Sequence, residues 1–362
     1  MQDKKAKKKI EYNRDAPIAN ILKKIDEQIY KAFDPDAFYS LLMGKDISQF
    51  SYLKDSLSTH ILSPCLDILS RGGKRLRPLL LILFTQMLSG DEDAAYKASA
   101  IIEGIHNASL IHDDIEDGSL MRRGEASVHI KYGVDVAINA ACALYFFSLK
   151  LIENQKEQFK LPLYQTCTHS LALLHKGQAM DIKQHNEPVE KDAFLTEKIA
   201  KYQHIARLKT GTLFSLAFEA SLIFSCKEDS LGTATQAVGE LGVAFQMLDD
   251  IVNISCGNKG KDRGDDIVEG KWSFPIVLYL EQFPNNTAHI LQLFDVAKKE
   301  GINSKAVNEC CTLLEESGVL QEGMRIAKEK MNAAFVALQS FFGNKEQLDM
   351  MREIFECNTN KR

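Results

Sequence analysis

The sequence predicts an all-α protein, a single large helical bundle, on three observations. The eight prolines, at 17, 35, 64, 78, 162, 188, 275 and 284, leave long helix-compatible intervals between them. Ala, Leu, Lys, Glu and Gln fill those intervals, while strand signals are scarce. Apolar residues at helical spacing lead into each of two acidic segments.

In chain order, the first fifty residues are a basic lead-in (Lys4, Lys5, Lys7, Lys8, Lys9) followed by one or two helices, amphipathic over Ile18 to Ala32. Residues 51–362 then form one domain, because no break in composition and no solenoid repeat divides them. From Ala98, residues Ile101, Ile102, Ile105, Ala108 and Ser109 share a helical face that runs into Asp113. From Val238, residues Leu241, Ala244, Phe245 and Leu248 do the same ahead of Asp249. Both acidic segments are thus expected at the polar ends of apolar helices. Loops are expected at 89–93, 184–192 and 256–270, where Gly, Asn, Lys and Asp replace any periodic pattern.

With 45% hydrophobic and 26% charged residues, the chain is expected to pack a sizeable core rather than remain disordered. Its net charge of −5 leaves no global basic field, so nucleic acid is excluded as a partner and any polyanion must bind at a local site. The eight cysteines form no CxxC pair and are read as reduced, in a cytoplasmic protein. No apolar core follows the N-terminal lysines, so a secretory signal is not expected; Asp3, Glu11 and Asp15 argue against a transit peptide. Apolar runs such as Pro78 to Phe84 are too short to cross a bilayer, and no transmembrane segment is expected.

In Asp113-Asp114-Ile115-Glu116-Asp117, Asp113 and Asp117 stand four apart on one helix face. A lone DDxxD is as well read as a solvated helix end. Here it ends an apolar helix and is followed by Arg122 and Arg123, a pairing that suits Mg²⁺ bridged to phosphate. Asp249, Asp250 and Asn253 repeat the spacing, and Gln246 lies on an adjacent face. The mixed run Lys259, Lys261, Asp262, Arg263, Asp265, Asp266, Lys271 is either a solvated surface loop or a loop that closes over phosphate. Arg71-Gly72-Gly73-Lys74-Arg75-Leu76-Arg77 puts four cations beside two glycines; it lacks P-loop spacing and alone is a weak anion signal. Lys209, beside Thr210 in an apolar helix, needs an anionic partner if buried.

In this order, Gly-Gly-Lys-Arg-Leu-Arg-Pro, His-Asp-Asp-Ile-Glu-Asp with Arg-Arg-Gly, Lys-Thr-Gly, Phe-Gln-Met-Leu-Asp-Asp and Glu-Gly-Lys-Trp-Ser-Phe-Pro, the motifs resemble those of the trans-isoprenyl diphosphate synthases, the polyprenyl synthetase family. The resemblance implies the isoprenoid synthase fold, a helical bundle with a central cavity, a homodimer, and three Mg²⁺ held by Asp113, Asp114, Asp117, Asp249 and Asp250 against an allylic diphosphate. It implies that Arg122, Lys209, Lys261 and Lys271 contact that diphosphate, and that Lys74, Arg77, His106 and Arg123 bind isopentenyl diphosphate. Thr210 and Gln246 match positions near the reacting carbons, and Gln178 belongs to a Gly-Gln-x-x-Asp element ending at Asp181. The family's reaction joins the two substrates head to tail. Asn253 departs from the family's frequent third aspartate, and the spacing of 254–261 leaves Lys259 as an alternative to Lys261.

Product length is expected to follow from the helix before Asp113. Ala108 and Ser109, one turn earlier, are small where an aromatic resembles a stopper for the C15 product. Tyr145 and Phe146 are similar to aromatics that close the tunnel lower down in geranylgeranyl synthases. A C20 product is therefore expected, with C15 or longer chains as alternatives. A class I terpene cyclase would show a hydroxyl at Asn253 and a glutamate beyond it; a non-catalytic subunit of a heteromeric synthase would not need both acidic segments.

Overall fold

The computed structural model describes residues 16–43, 55–186, 198–227, 232–257 and 263–359. Among these, the chain is helical apart from turns and one short ribbon, β1 (Met121–Arg122) and β2 (Glu125–Ala126), in which Met121 pairs with Ala126 and Arg122 with Glu125. The helices are α1 (Ala16–Ala32), α2 (Pro35–Met43), α3 (Ser63–Ser70), α4 (Leu76–Met87), α5 (Glu92–Glu116), α6 (Val128–Tyr132), α7 (Val134–Lys150) and α8 (Glu157–Asn186). Then come α9 (Lys198–Ala206), a π-helical turn (Arg207–Gly211), α10 (Thr212–Phe224), α11 (Gly232–Ser255), α12 (Asp265–Glu269) and α13 (Phe274–Gln282). The last four are α14 (Thr287–Glu300), α15 (Lys305–Glu316), α16 (Val319–Phe342) and α17 (Glu346–Thr359).

The bundle is built around helices that are apolar on most faces. In α4, every residue from Leu79 to Phe84 is fully buried, as a helix without a polar face must be. It packs on α5 and α10, and α10 in turn on α8 and α11. Helix α5 packs along α7, and α11 along α16. Helix α1 lays Ile21, Ile25 and Ile29, spaced by four, against α5.

Both helices that carry the acidic segments are as expected, with one correction. Asp91 caps α5, accepting from Ala94 N at 3.1 Å, and Asp117 follows its last residue as the C-cap. Helix α11, however, continues past Asp249 to Ser255, so the second segment lies inside a helix rather than at its end. The expected loop at 256–270 includes the short helix α12, with 258–262 outside the described residues. Helix α8 runs into the expected loop at 184–192 as far as Asn186.

Lys209 and Thr210 lie in the π-helical turn, not in an α-helix. A close helix crossing fixes this turn: a Cβ on Gly242 would stand 2.6 Å from Gly211 Cα. The apolar-run criterion also missed one stretch. Val134–Asn154 is long and apolar enough to cross a membrane by length and composition, since Asp135, Asn139 and Ser148 break its runs without lowering its mean hydropathy below 1.5. Half of its most apolar window is buried in the bundle, as a core helix would be. A groove of about 410 Å³ lies between Ile29, Phe33, Leu66 and Tyr132, and neither acidic segment lines it.

Candidate active site

Carboxylates in the last turn of a helix oppose its macrodipole, so the end of α5 needs cations from elsewhere. Three elements deliver them. The ribbon brings Arg122, whose Nε donates to Asp114 Oδ1 at 2.8 Å and whose Nη2 donates to the same oxygen and lies 3.6 Å from Asp113 Oδ2. The π-helical turn brings Lys209, whose Nζ is 3.2 Å from Asp113 Oδ1 and also pairs with Asp181 of α8. The turn before α13 brings Lys271, paired with Asp117 Oδ2 at 2.5 Å and Glu269 Oε2 at 2.7 Å. Gln178 Nε2 donates to Glu116 Oε2 at 2.5 Å and to Asp113 Oδ1 at 3.4 Å.

The electrostatics follow from this crowding. Burial, then repulsion from Asp113, pushes Asp117 up to about 6. Burial alone would lower Lys209, Arg122 and Lys271, yet the facing carboxylates outweigh it and raise all three, so they stay charged.

The second segment meets neutral donors. Asp250 accepts from the Tyr202 hydroxyl at 2.7 Å, Gln246 Nε2 at 2.8 Å and the backbone N–H of Phe274 at 2.9 Å. Gln246 in turn accepts from Thr210 Oγ1 at 2.7 Å. Even so, burial pushes Asp250 up to about 6, outweighing the donors. Asp249 is partly exposed beside it. Asn253 is buried, and its Oδ1 accepts from the N–H of Asp266 at 3.4 Å, in the first turn of α12.

The basic motif closes the third side. Arg77 Nη1 lies 3.2 Å from His106 Nε2, and its guanidinium stacks over Phe214 at 5.3 Å. Burial, followed by the charges of Arg77, Arg123, Arg122 and Arg75, drives His106 well below its ordinary value, so its imidazole is neutral. Burial also pulls Arg77 and Arg123 down to about 10, which leaves both charged at neutral pH. Lys74 Nζ lies 5.1 Å over the ring of Phe245, from α11.

On the apolar face of α5, Ala108 is fully buried and Ser109 is partly buried, its hydroxyl donating to His106 O at 2.8 Å. Tyr145 stands level with the end of α5, its ring 5.7 Å from that of His112 and 5.5 Å from that of His175, and its buried hydroxyl finds no hydrogen-bond partner among the described residues. Phe146 corrects the expectation that it closes the interior. It is 73% exposed, because it falls on the outer face of α7 in phase with Val134, Ile138 and Cys142.

Thus the structure brings together Asp113, Asp114, Asp117, Arg122, Lys209, Lys271 and Gln178 around one cluster, and Asp250, Gln246 and Thr210 around the other. Lys261 lies outside the described residues. Sequence reasoning gave no role to Tyr202, Glu103 or Asn107. A lone glutamate within the apolar run Ala98 to Ile105 was a signal for Glu103; Tyr202 carried none. Among the described residues no three His, Cys, Asp or Glu side chains form a ready metal cage. Mg²⁺ commonly takes only one or two carboxylates and fills its shell with water and phosphate oxygens.

Comparison with known proteins agrees with this geometry. The chain is 33% identical to a geranylgeranyl diphosphate synthase of Saccharolobus solfataricus, over 62% of this chain and 68% of that one. It is 30% identical to a terpene synthase of Matsumurasca onukii (72% and 82%) and 29% identical to an octaprenyl diphosphate synthase of Haemophilus influenzae (75% and 80%). Its fold matches the crystal structure of a geranylgeranyl pyrophosphate synthetase from Pyrococcus horikoshii with a TM-score of 0.75 and 24% identity, over 95% and 98% of the two chains. The Polyprenyl synthetase family model matches residues 58–314, more than half of the chain and the whole span from the basic motif to Lys271. With two acidic segments, their cations and the basic motif gathered in one helical bundle, the chain belongs to the polyprenyl synthetase family, whose members are trans-prenyltransferases.

Proposed function

We propose that this prenyltransferase extends an allylic diphosphate with isopentenyl diphosphate to the C20 product, geranylgeranyl diphosphate. The observation that carries the length is the pair Ala108 and Ser109: small side chains one turn before Asp113 put no bulky stopper at that level of α5. Geranylgeranyl synthases among the relatives support the same reading, while octaprenyl and heptaprenyl synthases of the same fold show how far length varies.

The carboxylates fit Mg²⁺. They are hard oxygen donors, and the upward shifts of Asp117 and Asp250 mark sites where added positive charge would be welcome. Asp113, Asp114 and Asp117 would hold three ions together with Asp249 and Asp250. When bound, Mg²⁺ supplies positive charge to the departing diphosphate. Arg122, Lys209 and Lys271 face the same space and would bind its oxygens as the allylic C–O bond breaks. Thr210 and Gln246, locked to one another and to Asp250, offer fixed dipoles near the resulting cation. Lys74, Arg77, neutral His106 and Arg123 would place isopentenyl diphosphate so that its double bond attacks, and pyrophosphate takes the proton then lost.

A second copy of the chain would cover α7 and α8. Val134, Ile138 and Phe146 are exposed on one, Leu161 on the other, and α8 carries no charged residue from Leu161 to His175. Eight free thiols suit a cytoplasmic homodimer.

The test is chromatography of products from labelled isopentenyl diphosphate with Mg²⁺ and C5, C10 or C15 starters. C20 as the end product supports the assignment; a hydrocarbon would favour the activity named for the Matsumurasca onukii relative, and no elongation a non-catalytic subunit. Ala108→Phe should shorten the product toward C15, and an unchanged length would overturn the tunnel argument.

A further inference from the structure

Behind Arg123 lies a buried polar chain whose other members have no part in the chemistry above. Its outer end is Asp26 of α1, half exposed, whose Oδ1 accepts from Arg75 Nε at 3.0 Å. Arg75 Nη1 donates to Glu103 Oε1 at 2.6 Å, and both side chains are almost fully buried. The amide of Asn107, one turn on in α5, donates to the same Glu103 oxygen at 3.0 Å and to Glu103 O at 2.7 Å. Its carbonyl Oδ1 then accepts from Arg123 Nη1 at 3.0 Å. That nitrogen also donates to Gly72 O and, at 3.3 Å, to Ile68 O.

Three features separate this chain from ordinary core filling. A buried charge pair costs desolvation and stabilises little compared with apolar packing, so its presence calls for another reason. Among the described residues the three acceptors of Arg123 share the two hydrogens of Nη1, which leaves Nε and Nη2 for a ligand while the guanidinium is held at one corner. Finally, Arg75 and Arg123 are two of only four non-glycine residues among those described with left-handed backbone (φ +48° and +56°). Such positions persist only where the surroundings over-determine them. Gly73 adds a wall: a Cβ there would stand 3.2 Å from Arg123 Nη2.

We propose that Glu103 and Asn107, backed by Arg75 and Asp26, are positioning residues that aim Arg123 at the diphosphate of isopentenyl diphosphate. This rests on the reading of Arg123 as part of that substrate's pocket. It also gives α1, which precedes the span matched by the family model, a role at the site. Asn107 is the pivot, since it alone bonds both the buried carboxylate and the arginine. Glu103 keeps the amide from flipping, because only the NH2 end can face a carboxylate.

The experiment measures KM for each substrate with the other saturating, in the full chain with Mg²⁺. Asn107→Leu and Glu103→Gln should each raise KM for isopentenyl diphosphate about tenfold, the worth of one or two charge-assisted hydrogen bonds, with KM for the allylic diphosphate and kcat within about twofold. Asp26→Asn, at the solvent end, should fold normally and raise the same KM about twofold to threefold. A KM for isopentenyl diphosphate unchanged in Asp26→Asn and in whichever buried variant folds, or both KM values rising together, would overturn the proposal. Wild-type protein that elongates nothing would remove the underlying reading instead, and a wild type that is active beside unshifted variants would remove only this inference.

Discussion

Asp114 meets the guanidinium of Arg122, whereas Asp250, at the same place in the second acidic segment, meets a tyrosine hydroxyl, a glutamine amide and a backbone N–H. One spacing therefore has two kinds of support. Around the first segment the partners are long, charged side chains from the ribbon, the π-helical turn and the turn before α13, which can leave a carboxylate and follow an anionic ligand. Around the second they are neutral and short, set in α9, α11 and the start of α13, and they fix the carboxylate in place. The first segment responds to charge; the second supplies a rigid wall.

The largest effect expected from this difference is on catalysis. Asp113→Asn removes the carboxylate on which Lys209, Arg122 and Gln178 converge, and elongation at saturating substrates should fall by about 10²–10³-fold. Asp250→Asn leaves a side chain that still accepts from Tyr202 or Phe274 N, and the fall should be nearer tenfold. Initial rates at matched Mg²⁺ decide between them. Equal losses would break the comparison.

Stability should move the other way. Burial raises Asp250 from 3.8 to about 6, so the folded chain binds this proton more tightly than the unfolded chain does. A group raised in the folded state contributes fully below its unfolded value and loses that contribution as pH rises through the folded one. At pH 8 the ionised carboxylate is therefore a cost of about 2–3 kcal/mol that Asp250→Asn relieves. In metal-free buffer this variant should melt about 4 °C above wild type at pH 8, and the gain should shrink as pH falls from 6 toward 4. A variant that melts lower at pH 8 would mean that its hydrogen bonds outweigh the buried charge.

These contrasts also mark what the sequence could disclose. The two apolar helices and their acidic segments were legible because helical period and charge are local: Ile101, Ile105 and Ala108 on one helix, Leu241, Ala244 and Leu248 on the other, are all buried as their spacing required. Lys209 was legible as a lysine in need of an anion, and it has Asp113 and Asp181. The π-helical turn beneath it was not, because it depends on Gly211 meeting Gly242, two residues that only the fold brings together. Tyr145 and Phe146 looked alike in sequence, yet adjacent residues in a helix point about 100° apart, and only packing tells which one faces in. Tyr202 was invisible for the same reason.

Asn253 is the sharpest instance, and it yields the smallest effect. By spacing it is expected as the third, weaker ligand of the second acidic segment. In the fold it is buried, and its Oδ1 accepts from Asp266 N, doing for α12 what an N-cap side chain does, while its own carbonyl accepts from Gly264 N at 3.1 Å. Its task is to hold Gly264 and the first turn of α12, ahead of Lys271, whose amine reaches back to Asp117. Asn253→Ala should thus cost about 1 kcal/mol, a fall of about 2 °C in melting temperature. The apparent Mg²⁺ affinity measured from rates should change less than about twofold, because no ligand is lost. Asn253→Asp keeps the acceptor but adds a buried charge beside Asp249, Asp250 and Asp266, so it should destabilise the chain more than alanine does. If Asn253→Asp instead tightened Mg²⁺ binding tenfold at unchanged stability, the side chain would face the metals after all, and the two acidic segments would be alike in kind.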